Sequence, residues 1–212
     1  VGRLRWPLGV VDVVYAPAAA PDRARAAAAD GYDHLDAAVG FDPARFGIPA
    51  GCPIAFPRPE AGWCATPAPA RGHGRWDRCV AWFRGAPGAL LEPWAGSVVH
   101  SADTAREMLA AVPGLRLLVD TGHVADWGGD PLELLGHAAH VQLRQGRPGA
   151  AQLHVDDPSG VVDFAAVLDR LAVLDYRGRV SVEHFDLPEQ GWPLADARAW
   201  ALDLTMHVRA LA

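Results

Sequence analysis

The chain of 212 residues contains no lysine, so its 19 basic residues are all arginine, set against 25 acidic ones. A formal net charge of −6 leaves no basic surface of the kind that phosphate backbones require, and no nucleic-acid partner is expected. Cysteine is scarce: Cys52, Cys64 and Cys79 are odd in number and form no CxxC pair. That excludes a disulfide framework, fits free thiols in a reducing compartment, and matches no common zinc-ligand spacing. No apolar run approaches the ~20 residues of a membrane helix. The N-terminal stretch lacks the basic, apolar and small-residue order of a signal peptide. A cytoplasmic enzyme or binding protein with no membrane partner is the default expectation. What is present is an ordinary globular balance, 50% hydrophobic and 21% charged, in a chain long enough for one domain over residues 1–212 with a large core.

Strand-like and helix-like pieces alternate. Val10–Tyr15 is a β-branched run that predicts a strand. Residues 21–30 predict an alanine-rich helix with Pro21 at its start and Gly31 past its end. Asp33–Ala37 predicts a second strand. Residues 40–75 carry Pro and Gly every few positions, with strand candidates only at Pro53–Phe56 and Gly62–Thr66, so one or two helices of the regular pattern are expected to be shortened or lost there. The alternation then resumes. Helices are expected at Arg75–Arg84, Ala102–Val112 (capped by Ser101 or Asp103), Pro131–Ala138, Phe164–Leu174 and Leu194–Leu211. Strands are expected at Ala89–Glu92, Arg116–Asp120, Ala139–Leu143 and Arg179–Glu183. Phe164, Val167, Leu168, Leu171 and Leu174 make a clear helical face. Strands separated by helices indicate a parallel sheet, either open and doubly wound or closed into a barrel.

Four of the strands share one feature. Ala89-Leu90-Leu91-Glu92, Leu117-Leu118-Val119-Asp120, Ala139-His140-Val141-Gln142 and Val180-Ser181-Val182-Glu183 each end in a carboxylate or an amide. Side chains alternate along a strand, so Leu91, Val119, Val141 and Val182 would face the helices while the four polar residues face the other way. In a closed (β/α)8 barrel the other way is the interior, and strand C-termini form its catalytic mouth. Four oxygen donors would converge at one rim. A shared divalent cation would remove the cost of burying them. A single such glutamate would more simply be a cap or a surface charge.

From Leu118-Val119-Asp120-Thr121-Gly122-His123 onward the chain resembles the xylose isomerase-like TIM barrels, which include sugar phosphate isomerases and epimerases, hydroxypyruvate isomerase and endonuclease IV. Glu92 with Ser101-Ala102-Asp103-Thr104-Ala105 resembles that family's glutamate strand and following helix. Gly160-Val161-Val162-Asp163-Phe164 through Leu171, then Asp175-Tyr176-Arg177-Gly178 and Val182-Glu183-His184, resemble its closing signature. The resemblance covers residues 88–185 well and the first 40 loosely. It implies a trimmed (β/α)8 TIM barrel with helices shortened or missing in the first half. It also implies a single divalent ion held by Glu92, Asp120, Gln142 and Glu183, with Glu92 and Glu183 as the acid/base pair. Gln142 stands where most relatives carry a histidine, and the strand is closest to the HVQ strand of hydroxypyruvate isomerases. An all-oxygen set favours Mg²⁺ or Mn²⁺ over Zn²⁺.

The activity so implied is isomerisation or epimerisation of a small sugar, sugar phosphate or hydroxy-keto acid through an enediolate, one glutamate removing a proton that the other returns. His123, His140 and Arg147 are the candidate substrate contacts, Arg147 as a fork for a carboxylate or phosphate. Each has a plainer reading: His123 as a turn cap, His140 as a satisfied core residue, Arg147 as a surface arginine. His184 should face the helices. Trp6, Trp63, Trp94, Trp127 and Trp192 either stack on a sugar or pack the core and rim. Two alternatives stay open, an endonuclease IV-like phosphodiesterase and a non-catalytic ligand-binding barrel. A homo-oligomer is compatible with the sequence, which does not fix oligomeric state.

Overall fold

The computed structural model describes residues 4–54, 75–186, 188 and 193–211. Its centre is a curled sheet of seven parallel strands: β1 (Leu8–Val11), β2 (Leu35–Ala38), β3 (Ala50–Ile54), β4 (Leu90–Leu91), β5 (Arg116–Asp120), β6 (Ala138–Leu143) and, late in the chain, β9 (Arg179–Val182). They lie in the order β3-β2-β1-β9-β6-β5-β4. The first strand therefore pairs with the last, which is how a βα chain curls back on itself. This is a trimmed (β/α)8 barrel. Between β2 and β3 only a 3₁₀ turn at Pro43–Phe46 stands where a full crossover helix would be, in line with the helical shortening expected from the Pro- and Gly-rich composition. The candidate strand Gly62–Thr66, and Cys64, Trp63 and Trp192 with it, lie outside the described residues.

The helices α1 (Ala20–Ala29), α2 (Arg75–Gly85), α3 (Ala102–Ala111), α5 (Phe164–Val173) and α6 (Ala197–Ala210) bury their apolar faces in the core around the sheet. Their starts follow local chemistry. Pro sits in the first turn of α1, and Ser101 and Thr104 form a reciprocal capping box on α3. Asp163 and Asp196 cap α5 and α6 through the amides of Ala166 and Ala199. The periodicity read for residues 164–174 is realised, with Phe164, Val167, Leu168 and Leu171 buried.

Four features differ from expectation. The strand expected at Val10–Tyr15 is β1 over Leu8–Val11 followed by a 3₁₀ turn, Asp12–Tyr15. Tertiary contacts override the β-propensity of that run: Asp12 pairs with Arg23 and the Tyr15 hydroxyl donates to Asp30, which turns the chain toward α1. The helix expected at Pro131–Ala138 is two 3₁₀ turns, Pro131–Glu133 and Leu135–His137. The short helix α4 (Thr121–Asp126) and an antiparallel hairpin, β7 (Gln145–Arg147) with β8 (Ala150–Leu153), were not legible in the sequence. Both stand on the rim directly after β5 and β6.

Register places the polar strand ends together. Leu91 pairs with Leu117, Asp120 with Gln142, Gln142 with Ser181 and Leu143 with Val182. Leu91, Val119, Val141 and Val182 are wholly buried in the core that the helices cover. Their neighbours Glu92, Asp120, Gln142 and Glu183 accordingly point into the barrel mouth.

Candidate metal centre

Glu92, Asp120, His123 and Glu183 each present a donor atom within 4.8 Å of the others, and all four are buried. The residues come from the ends of β4, β5 and β9 and from the first turn of α4. Asp120 does two jobs there. Its Oδ1 accepts from the backbone N of His123 at 2.9 Å, capping α4, while its Oδ2 faces the barrel axis. That cap turns the His123 ring inward, so that its Nε2 lies 3.6 Å from Glu92 Oε1. The Trp94 ring stands beside His123, centroids 6.0 Å apart.

Gln142 lies next to this cluster through its pairing with Asp120. Its side chain is 1% exposed, and neither amide atom has a hydrogen-bond partner among the described residues. A buried amide left so costs on the order of 1–3 kcal/mol unless something fills the space it faces.

Arg144 is the residue that sequence reasoning missed. It follows Gln142 by two positions and so keeps the inward parity of His140 and Gln142. Its side chain is fully buried, the largest such side chain among the described residues. Nη2 donates to Asp120 Oδ2 at 2.6 Å and lies 3.2 Å from Glu183 Oε2. The guanidinium also stacks over the Phe185 ring, 4.7 Å from its centroid. The only sequence signal was parity, and the loop-like run after Gln142 concealed it.

Charge follows from this geometry. Burial, reinforced by the Asp120 carboxylate, pushes Glu92 up to about 8. Burial also holds Glu183 well above the usual carboxylate range. Asp120 stays low: burial alone would raise it, but the adjacent Arg144 guanidinium and the His123 ring outweigh that. Burial depresses His123 to about 3, keeping its ring neutral and able to act as a ligand. Three carboxylates against one guanidinium leave two negative charges uncompensated if all are ionised. Two protons or one divalent cation restores balance. With a neutral imidazole and an unpartnered amide oxygen beside them, these residues fit a single divalent ion. Gln142 and His123 together make the donor set oxygen-rich with one nitrogen.

The other expected site residues lie elsewhere. His140 sits one layer deeper, where its Nε2 is 2.6 Å from Asp36 Oδ2. Asp36 also accepts from the backbone N of Cys52, and His34 bonds Ser181 Oγ at 2.9 Å. The barrel is narrow here: a Cβ on Gly9 would lie 2.3 Å from His34 Nε2, and one on Gly51 2.0 Å from Asp36 Oδ1. Arg147 is exposed on β7 and donates to the Pro148 carbonyl at 3.2 Å. His184 points away from the mouth and packs edge-on against Trp200 of α6. Trp6 is buried and donates to the Tyr176 carbonyl, and Trp127 packs against the core.

A parallel barrel with a buried carboxylate cluster at its C-terminal rim defines a TIM-barrel protein with a candidate metal centre. The chain belongs to the xylose isomerase-like TIM barrel family, whose profile residues 76–204 match. Over an alignment of 125 residues that takes in 49% of this chain, the sequence is 34% identical to the rhizopine catabolism protein MocC of Rhizobium meliloti. This chain spans only 38% of that relative's length. Among solved structures, an L-ribulose 3-epimerase superposes with a TM-score of 0.70 at 15% identity, covering 96% of this chain and 95% of the other. The D-psicose 3-epimerase of Clostridium cellulolyticum H10 gives 0.70 at 14% identity, covering 97% and 99%. An AP endonuclease, family 2, from Brucella melitensis gives 0.65 at 15%, covering 96% and 99%. At these identities the likeness establishes the fold.

Proposed function

We propose that this chain is a metal-dependent isomerase or epimerase of a small sugar, sugar phosphate or hydroxy-keto acid. The observation that carries the reading is the charge deficit at the rim. Glu92, Asp120 and Glu183 are buried together, and Arg144 offsets only one of their charges. Glu92, Asp120, Gln142 and Glu183 would hold the ion, with His123 either completing the set or contacting substrate. A bound divalent ion supplies electrophilic polarisation of a substrate carbonyl and its neighbouring hydroxyl, which acidifies the proton between them.

The rest belongs to the protein's own groups. Glu92 and Glu183 come from strands on two sides of the mouth and bring two carboxyls to it, the groups that proton transfer to and from carbon requires. One takes the proton from the carbon next to the carbonyl. The other gives a proton to the neighbouring carbon, which isomerises the substrate, or to the opposite face, which epimerises it. Trp94 beside His123 offers an apolar ring for the face of a carbohydrate. Burial of the cluster keeps bulk water from the carbanionic intermediate.

The superposed sugar epimerases and the rhizopine catabolism relative support a carbohydrate-like substrate. The endonuclease IV-like alternative is less well supported. Among the described residues a single cluster with one histidine is present, and it gives room for one ion. Mg²⁺ or Mn²⁺ suits the oxygen-rich set better than Zn²⁺.

The test is solvent-proton exchange. The protein with Mg²⁺ or Mn²⁺ is incubated in D₂O with a panel of ketopentoses, ketohexoses, their phosphates and hydroxypyruvate, and deuterium uptake at carbon is read by NMR. Uptake is expected in at least one substrate class and is expected to vanish when Glu92→Gln and Glu183→Gln are combined. Exchange that persists in the double variant rules out the proposed acid/base pair.

A further inference from the structure

We propose that Arg144 is a built-in competitor of the divalent ion, its guanidinium hydrogen-bonded to Asp120 and standing beside Glu183, two of the carboxylates that would hold the ion. The inference rests on the metal reading above and adds a residue that the four-ligand pattern does not contain.

Three observations carry it. The first is position: one nitrogen, Nη2, lies 2.6 Å from Asp120 Oδ2 and 3.2 Å from Glu183 Oε2, between two of the carboxylates that would hold an ion. A cation bound to both would share those oxygens with the guanidinium.

The second is that the arm is accommodated by design of the backbone. Gly122, in the first turn of α4, has no Cβ where one would lie 3.0 Å from Arg144 Cγ and 3.0 Å from Nε, and 2.1 Å from the Ala151 carbonyl oxygen. Gly146 of the hairpin closes on the Cα of Gly122 in turn. Thr121 Oγ1 exchanges hydrogen bonds with the backbone N and O of Arg144, at 2.9 and 2.7 Å, which fixes the start of the side chain. Phe185 supports its far end. The side chain is therefore threaded between α4, the hairpin and Phe185 into the centre.

The third is unspent capacity. Nε and Nη1 of Arg144 are buried without a hydrogen-bond partner among the described residues, and so are both amide atoms of Gln142. The Gln142 amide oxygen is an idle acceptor that a divalent ion would employ. The guanidinium offsets the repulsion between neighbouring carboxylates, and by like charge it opposes an ion bound to the same groups.

The experiment measures affinity, with no substrate involved. Mn²⁺ binding to the whole chain is followed by competition with a fluorescent chelator at fixed pH and 0.15 M salt. Wild type, Arg144→Met and Arg144→Lys are compared, with circular dichroism confirming that each is folded. Arg144→Met keeps an unbranched apolar stem and loses the charge, and is expected to bind Mn²⁺ on the order of tenfold more tightly than wild type or better. Arg144→Lys keeps a charge on a shorter arm without the planar fork, and is expected to fall between the two. If wild type binds Mn²⁺ and Arg144→Met binds it equally or more weakly, the competitor role is overturned while the metal reading stands. If neither wild type nor either folded variant binds Mn²⁺, Mg²⁺ or Zn²⁺ at millimolar concentration, the metal reading falls and this inference with it. A wild-type-like affinity in folded Arg144→Lys beside tighter binding in Arg144→Met supports competition by charge alone.

Discussion

Replacing Asp120 by asparagine isolates the charge that holds Arg144 in the barrel. Asparagine still accepts from the His123 amide, so the cap on α4 survives and only the carboxylate is lost. Arg144 would then be wholly buried with Glu183 as its one remaining close carboxyl, at 3.2 Å, and that group is itself pushed toward its neutral form by burial. Breaking a buried pair from one side costs ~3–5 kcal/mol, because an uncompensated charge stays behind. Glu183 can take up part of that charge by ionising, which sets the expectation at the lower end, about 3 kcal/mol. Domain stabilities of about 5–15 kcal/mol make such a loss easy to read. The assay is urea denaturation with EDTA present, comparing midpoints at unchanged m-value. Arg144→Met in the Asp120→Asn background removes the stranded cation, so the double variant should be more stable than Asp120→Asn alone, with a coupling of about 1–3 kcal/mol. A cost below about 0.5 kcal/mol for Asp120→Asn, or strict additivity in the double variant, would refute the reasoning.

Other outcomes follow from the same geometry. Gly122→Ala forces a Cβ to within 2.1 Å of the Ala151 carbonyl oxygen and should cost about 1–3 kcal/mol in the same denaturation assay, with an unchanged midpoint counting against the close approach. Glu92, raised to about 8, and Glu183, also raised, bind protons in the folded metal-free protein that the unfolded chain has already released above pH 4.5. Their contribution is therefore complete at low pH and lost as pH rises: between pH 6.5 and 8, EDTA-treated protein should lose up to about 1.4 kcal/mol per pH unit through Glu92, with Glu183 adding to the loss in the same direction. Saturating Mg²⁺ should flatten that decline, because the ion takes the place of the protons, and its affinity should strengthen over the same window. An equal slope with and without Mg²⁺ would contradict the shared site. Addition of Mg²⁺ or Mn²⁺ at a hundred times its dissociation constant should stabilise the fold by about 2.7 kcal/mol, read as a thermal shift that EDTA reverses. Ser101→Ala removes the capping box on α3 and should cost about 1 kcal/mol without altering ion binding, which denaturation and chelator competition check together.

Much of the second half was legible because its signals are local. Alternation alone assigned Leu91, Val119, Val141 and Val182 to the helix side and their neighbours to the mouth. Capping residues and the 164–174 periodicity set the helices, and the sparse helical pattern in residues 40–75 pointed to shortened or lost helices, of which the connection between β2 and β3 keeps only a 3₁₀ turn. Propensity misled at Val10–Tyr15, where the ion pair of Asp12 with Arg23 and the bond from Tyr15 to Asp30 end the strand early. His140 shows the limit of face assignment. It points inward as parity requires, yet register with β2 gives it Asp36 as a partner, one layer below the carboxylate cluster.

By itself the sequence determined which side chains turn inward, because a strand's two-residue period is a property of the backbone and needs no knowledge of neighbours. It therefore determined that Glu92, Asp120, Gln142 and Glu183 share a rim once the sheet curls. Only the tertiary structure decided what else stands among them. Arg144 reaches the centre because Gly122 leaves its arm a passage and Phe185 supports its guanidinium, contacts made by residues 22 positions before it and 41 after it in pairings that no local pattern encodes. Charge balance in a buried site depends on those distances, and so the same four residues acquired a guanidinium neighbour that the sequence had not shown.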